Sequence, residues 1–142
     1  PIKEIGYFEY TDSADIVPPN LARSNSVMIF DDVACHKQNE IREHFCFGRH
    51  KNNDCFYLCQ TYSAIPKQLI RDNANLIVLF QQDQTNLKHV HEDHVNVDMP
   101  FDRFKEMCVR CWNDKYGFLV IDKESDMNSG RYRKGFDCYI LI

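Results

Sequence analysis

No apolar run approaches the ~18 residues that a membrane-spanning helix needs, so no segment of the 142-residue sequence reads as a span. Glycine is scarce. The five glycines are Gly6, Gly48, Gly117, Gly130 and Gly135, and none opens a G-x-x-x-x-G-K-[ST] motif. That excludes a phosphate-cradling loop within these residues. An excess of positive charge is also missing: the formal net charge is −4, a poor match to a dedicated nucleic-acid binder. The opening "PIKEIGYFEY" has the pattern of neither a signal peptide nor a transit peptide. It begins on Pro1 rather than Met, which reads as a processed, excised or trimmed chain. A regular cysteine framework is absent too. Seven cysteines is an odd number at irregular intervals, which predicts reduced thiols and an intracellular, reducing compartment.

What is present is ordinary for a folded domain: 44% hydrophobic and 27% charged residues. The length fits a single domain spanning residues 1–142. The β-prone stretch 5–10 predicts a strand, and the Pro-, Asn- and Ser-containing stretch 11–26 a loop. "VMIFD" (27–31), "CFYLC" (55–59) and "NLIVLF" (75–80) are short continuous apolar runs, the pattern of strands buried on both faces. Between them lie a helical pattern at 37–47, with Gly48 as its stop, and a short helix from Pro66 to Arg71. Strands alternating with helices through short links predict βαβ crossovers and a mainly parallel sheet, hence an α/β fold. A polar helix is expected over 84–94. An amphipathic one follows from Pro100 to Trp112, with Phe101, Phe104, Met107, Cys108, Cys111 and Trp112 on one stripe. The runs 116–122 and 136–142, joined by a polar loop, predict a C-terminal β-hairpin or two strands added to a sheet edge.

One stretch stands out chemically. "VMIFDDV" (27–33) drives an apolar strand into two adjacent carboxylates, Asp31 and Asp32. In open parallel sheets ligands bind beyond the carboxyl ends of the strands. Gln60 and Thr61 fall at the same end of the next strand. Nucleotide hydrolysis suits this arrangement. One carboxylate assists Mg²⁺ through water, the other polarises the attacking water, and a polar residue on the neighbouring strand senses the γ-phosphate. Arg49 and Arg71 are candidates to neutralise transition-state charge from a neighbouring subunit. Taken singly, each of these residues has a plainer reading, as a strand-end polar group or a surface cation.

The stretch "VMIFDDV", followed by "REHFCFGRHKNNDCFYLCQTYSAIPKQLIRDNANLIVLF", resembles the distal half of genome-packaging ATPases of the HerA–FtsK class. The resemblance is to the poxvirus type shared by large DNA viruses, adintoviruses and Polinton (Maverick) transposons. It runs through Gly48-Arg49-His50, Cys59-Gln60, Pro66, Ile70-Arg71-x-Asn73 and the late "YGFLVIDK…RYRKGFD". The resemblance implies a RecA-like P-loop NTPase core working as an oligomeric, Mg-ATP-driven DNA translocase in the nucleus, a viral factory or a virion. It assigns Asp31 and Asp32 to the metal and the attacking water, with Asp31, Gln60 and Thr61 beside the nucleotide. It makes Gln60 the sensor, with Arg49 or Arg71 reaching a neighbour's site. The family's sheet order, 5-1-4-3-2, places its first strand centrally. Here that strand and the P-loop are missing, so ATP binding requires a phosphate cradle from outside these residues. The sheet is expected to be completed by an upstream segment, another copy or another polypeptide, or to be closed by rearranged terminal strands.

Three further features carry chemically capable side chains. "HVHEDH" places His89, His91 and His94 on a helix, where a metal would imply a metal-dependent nuclease using Asp31 and Asp32; a solvated helix surface is the plainer reading. Cys108 and Cys111 form a lone CxxC, which reads as core. Arg131, Arg133 and Lys134 could contact the phosphates of double-stranded DNA, or be plain loop charge. An alternative to the motor is a catalytically inactive remnant that serves as an interaction or oligomerisation module.

Overall fold

The computed structural model of the protein describes residues 6–12, 15–35 and 37–142, with Leu69 described by its backbone alone. The chain resolves into two compact units, Pro1–Gln60 with Pro66–Asp72, and Thr61–Ile65 with Asn73–Ile142.

In the first unit β1 (Val27–Asp31) and β2 (Asp54–Leu58) pair in parallel, from Val27 opposite Asp54 to Asp31 opposite Leu58. A parallel pair needs a crossover, and α1 (Asn39–Phe47) supplies it. Ile41 and His44, three apart on α1, are buried with Phe30 of β1. The Phe30 ring lies 5.7 Å from His44 and 6.2 Å from Phe45. Gly48 closes α1 as its C-cap, as expected, though not in the left-handed conformation usual for glycine there. It keeps a right-handed φ of −55° and leads into a 3₁₀ turn, Gly48–Lys51, which ends where Asn52 turns left-handed at φ 56°. Asn tolerates that conformation better than most residues. The expected short helix after Pro66 is a single π turn, Lys67–Arg71, packed on α1.

The expectation that β1 and β2 are buried on both faces is corrected. Val27, Ile29, Phe56 and Leu58 are 46–63% exposed. One crossover helix covers one face of a two-stranded sheet, and apolar residues at alternate positions are left outward. The expected strand over 5–10 is also corrected for residues 6–10, which are irregular and exposed; Ile5 lies outside the described residues.

The second unit is an antiparallel sheet in the order β3-β4-β5-β6, formed by Leu76–Leu79, Leu119–Asp122, Tyr132–Lys134 and Cys138–Tyr139. Two helices, α2 (Gln84–His94) and α3 (Phe101–Trp112), pack with it. The Asp83 carboxylate caps α2 by accepting the Thr85 and Asn86 N–H groups at 2.7 and 2.9 Å. Phe104, Met107, Cys108 and Cys111 of α3 are buried, as the predicted stripe requires.

The expected mainly parallel sheet is therefore corrected: only the two-stranded β1–β2 sheet is parallel, and the separate four-stranded sheet is antiparallel. The third expected parallel strand, β3, instead runs antiparallel to β4. Ile77 and Leu79 of β3 face the core of the second unit, and a continuous apolar run does not encode its partner's direction. The C-terminal hairpin is also different. β4 pairs with β5, which holds Tyr132–Lys134 from the supposed polar loop, and β5 pairs with β6. No helix among the described residues is long and apolar enough to cross a membrane.

Candidate functional site at the carboxyl edge of the parallel pair

The parallel register puts Asp31 beside Leu58, so Asp31, Asp32 and Gln60 share the carboxyl edge of one small sheet. The ladder runs one bond past β1, because the Asp32 N–H donates to the Leu58 carbonyl at 3.1 Å. There the strand breaks. Asp32 takes φ 51°, left-handed backbone that Asp and Asn adopt more readily than other side-chain-bearing residues. The two neighbouring carboxylates thus sit on a bend, and both are exposed.

The loop that follows is strapped down. Gln38 Nε2 donates to the Val33 carbonyl at 2.6 Å, and the Tyr57 hydroxyl donates to Gln38 Oε1 at 3.1 Å. Burial pushes the Tyr57 phenol up, and negative charge on Cys59, Asp32 and Cys35 pushes it the same way, against the Gln38 hydrogen bond. Asp32 is thus within electrostatic reach of a tyrosine on the neighbouring strand. The Gln38–Tyr57 strap had no signal in the sequence, since the two residues come together only through the parallel register.

The other expected residues disperse. Arg49 is exposed on the 3₁₀ turn that leads into β2, at the amino end of the sheet, where the Asn25 N–H meets the Lys51 carbonyl. A five-residue strand separates that end from the carboxylates, about 16 Å at strand rise. Arg71 is half-buried on the π turn beside α1. Thr61 is exposed and belongs to the second unit.

The three histidines of "HVHEDH" go to three different places. His91 Nε2 meets the Met99 carbonyl at 2.8 Å, His94 Nε2 meets the Tyr62 hydroxyl at 2.7 Å, and His89 lies 4.0 Å from Glu92. Among the described residues no three His, Cys, Asp or Glu side chains gather to hold a metal. Cys108 and Cys111 face the core, and burial raises both thiols. All seven cysteines are unbridged thiols.

Tyr132, Arg133 and Lys134 of "RYRK" are the strand β5 rather than loop, and Arg131 immediately precedes it. Arg131 Nε donates to Asp98 at 2.5 Å, Arg133 to Asp122 at 3.0 Å and Lys134 to Asp114 at 2.6 Å. Asp98 also accepts from the Tyr132 hydroxyl at 2.6 Å. Burial first, then Asp98, pushes that phenol far up. Asp98 carried no sequence signal, because its partners lie more than thirty positions downstream.

No protein-family model, curated protein or solved structure matches the chain.

Proposed function

We propose that these residues are the Walker B-to-C-terminal part of a HerA–FtsK-type, RecA-like DNA-packaging ATPase. The observation that supports the reading is the parallel register of β1 and β2, with Asp31, Asp32 and Gln60 along one carboxyl edge. Two exposed carboxylates on a bend suit Mg²⁺, which keeps most of its waters and takes one or two carboxylates together with the substrate's phosphates. In this reading Asp31 orients the water shell of the metal when Mg-ATP is bound. Asp32 polarises the attacking water, and Gln60 contacts the nucleotide. Arg49 fits a role in a neighbouring copy better than in its own, because it sits at the far end of its own sheet. Arg71 is the other candidate. The phosphate cradle comes from outside these 142 residues. The DNA contact of Arg131, Arg133 and Lys134 is the least supported part, since each already faces a carboxylate.

The test is steady-state hydrolysis of Mg-ATP by the 142-residue chain, alone and joined to a P-loop segment, with and without double-stranded DNA. The chain alone is expected to show no turnover and the joined protein DNA-stimulated turnover. A second reading, an inactive interaction module, is favoured by the open outer face of β1 and β2. It stands if the joined protein is also inert. The nuclease reading gains nothing from histidines that point to separate partners.

A further inference from the structure

The second unit carries an aromatic cavity that none of the chemistry above uses. It is an open groove of about 540 Å³, lined by Phe80, Gln81, Trp112, Asn113, Asp114, Lys115, Tyr116 and Gly117.

Its rim is built under strain. After α3 the chain turns sharply, the Gly117 N–H donating to the Asp114 carbonyl at 2.8 Å. A Cβ on Gly117 would come within 2.2 Å of the Cys111 carbonyl oxygen, so only glycine fits there. The one glycine of the turn is thus committed to close approach. The left-handed residue is Tyr116 instead, at φ 63°. A bulky aromatic in that region is an outlier of the kind that concentrates at ligand sites. The conformation gains no packing, since Tyr116 is 77% exposed.

The other walls match it. Phe80 is half exposed, and its ring is set by Phe118 at 5.3 Å, itself 4.9 Å from Phe136. Trp112 is fixed by its indole N–H to the Leu79 carbonyl at 2.9 Å, so it can offer a ring but no donor. Three aromatic side chains therefore line the same groove as two amides, Gln81 and Asn113, that can pair with the edge of a heterocycle. A cationic guest is disfavoured. Asp114 is already paired with Lys134 at 2.6 Å, and the Lys115 ammonium stands 5.0 Å from the Tyr116 ring centroid. Rings for stacking, amides for an edge and a nearby ammonium together suit a planar heterocycle bearing a phosphate.

We propose that the Phe80–Trp112–Tyr116 cavity binds a nucleobase by stacking, the base of a free nucleotide or of a single strand. This does not depend on the ATPase reading, whose carboxylates belong to the other unit.

Trp112 is the sole tryptophan, so its fluorescence reports on the groove it lines with no background from another tryptophan. The experiment excites it at long wavelength in the full chain. One arm titrates adenosine and uridine 5′-monophosphates, the other single-stranded oligothymidylate and oligoadenylate; the same duplex sequence serves as control. Saturable quenching in either arm, at least tenfold weaker in Tyr116→Gly and in Phe80→Ala, is expected. Quenching only with oligonucleotides assigns the site to single strands, and quenching with monophosphates to free nucleotides. Tyr116→Gly keeps the test clean, because glycine accepts the left-handed backbone and should leave the melting temperature unchanged or higher. The proposal is overturned if no probe quenches at millimolar concentration, or if both variants quench as the parent does.

Discussion

At the scale of single residues, Asp31 and Asp32 are neighbours in different backbone states: one ends a strand and the other is left-handed. Their side chains are therefore aimed differently, and their removal should fail differently. In the protein joined to a P-loop, Asp31→Ala should shift the magnesium dependence to higher concentration. Asp32→Asn, nearly isosteric, should leave ATP bound and cut turnover about a hundredfold or more. Arg49→Ala or Arg71→Ala should reduce turnover only in an assembled oligomer, and mixing the arginine variant with Asp32→Asn should recover part of it. ATPase assays of the variants, singly and mixed, check this. Wild-type turnover in Asp32→Asn would remove the Walker B assignment.

His44 makes a second prediction at this scale. It is buried, and its Nε2–H donates to the Val17 carbonyl at 2.8 Å. Nδ1 is enclosed with no hydrogen-bond partner among the described residues. Burial lowers its pKa, against opposing effects from that hydrogen bond and from Glu43. The folded form therefore resists a proton that the unfolded chain accepts at about pH 6.5. Above that pH both forms are neutral and the stability is fully present. It is lost as pH falls from there toward the lowered folded value, where the unfolded chain binds more protons. Urea midpoints at pH 7.5 and 5.5 should differ in that sense, and His44→Gln should shrink the difference. An unchanged pH dependence in the variant would assign it to other groups.

At the scale of elements, Asp98 connects the end of α2 to β5. It accepts from Arg131 Nε and the Tyr132 hydroxyl, while the Arg131 NH2 group lies 3.4 Å from the His94 carbonyl at the end of α2. The Asp98 and Arg131 side chains are only 10% and 18% exposed, so solvent screens them little. Asp98→Ala would leave an enclosed guanidinium and a phenol without their acceptor, at a cost of about 3 kcal/mol or more. Tyr132→Phe removes one hydrogen bond and should cost about 1 kcal/mol. Chemical denaturation followed by Trp112 fluorescence measures both; equal small losses would mean that Arg131 finds water or another acceptor.

The elements also show how far pattern carries. The α3 stripe was legible because a 3.6-residue period names its own buried face. The β1–α1–β2 crossover was legible because apolar runs alternated with a helical period. β3 was misplaced, since an apolar run carries no direction. β5 was missed, since a three-residue strand rich in cations looks like a loop until Asp98, Asp122 and Asp114 come up beside it. The carboxyl-edge grouping of Asp31, Asp32 and Gln60 followed from the crossover. The distance of Arg49 from it did not, because sequence order does not say at which end of a sheet a turn lies.

At the scale of the whole molecule, β1 and β2 are each hydrogen-bonded on one side only among the described residues, and their outer face carries Val27, Ile29, Phe56 and Leu58. Open edges beside an apolar face favour pairing with another chain. The chain is expected to self-associate in sedimentation over a wide concentration range, and Phe56→Glu should shift it toward monomer. A parent chain that stays monomeric at every concentration would sink this expectation.

The amino-acid sequence by itself determined what is local or periodic: the α3 stripe, the crossover helix, the strand that runs into Asp31 and Asp32, and the lack of a phosphate loop in these residues. Those features depend on neighbours a few positions away, and a short window contains them. Only the tertiary structure decided which sheet β3 joins, where the cations of β5 are spent, that His89, His91 and His94 part company, and that Phe80 meets Trp112 and Tyr116 around one cavity. Each of these depends on contacts between residues distant in the chain, whose energies are set by shared burial and register rather than by any local preference.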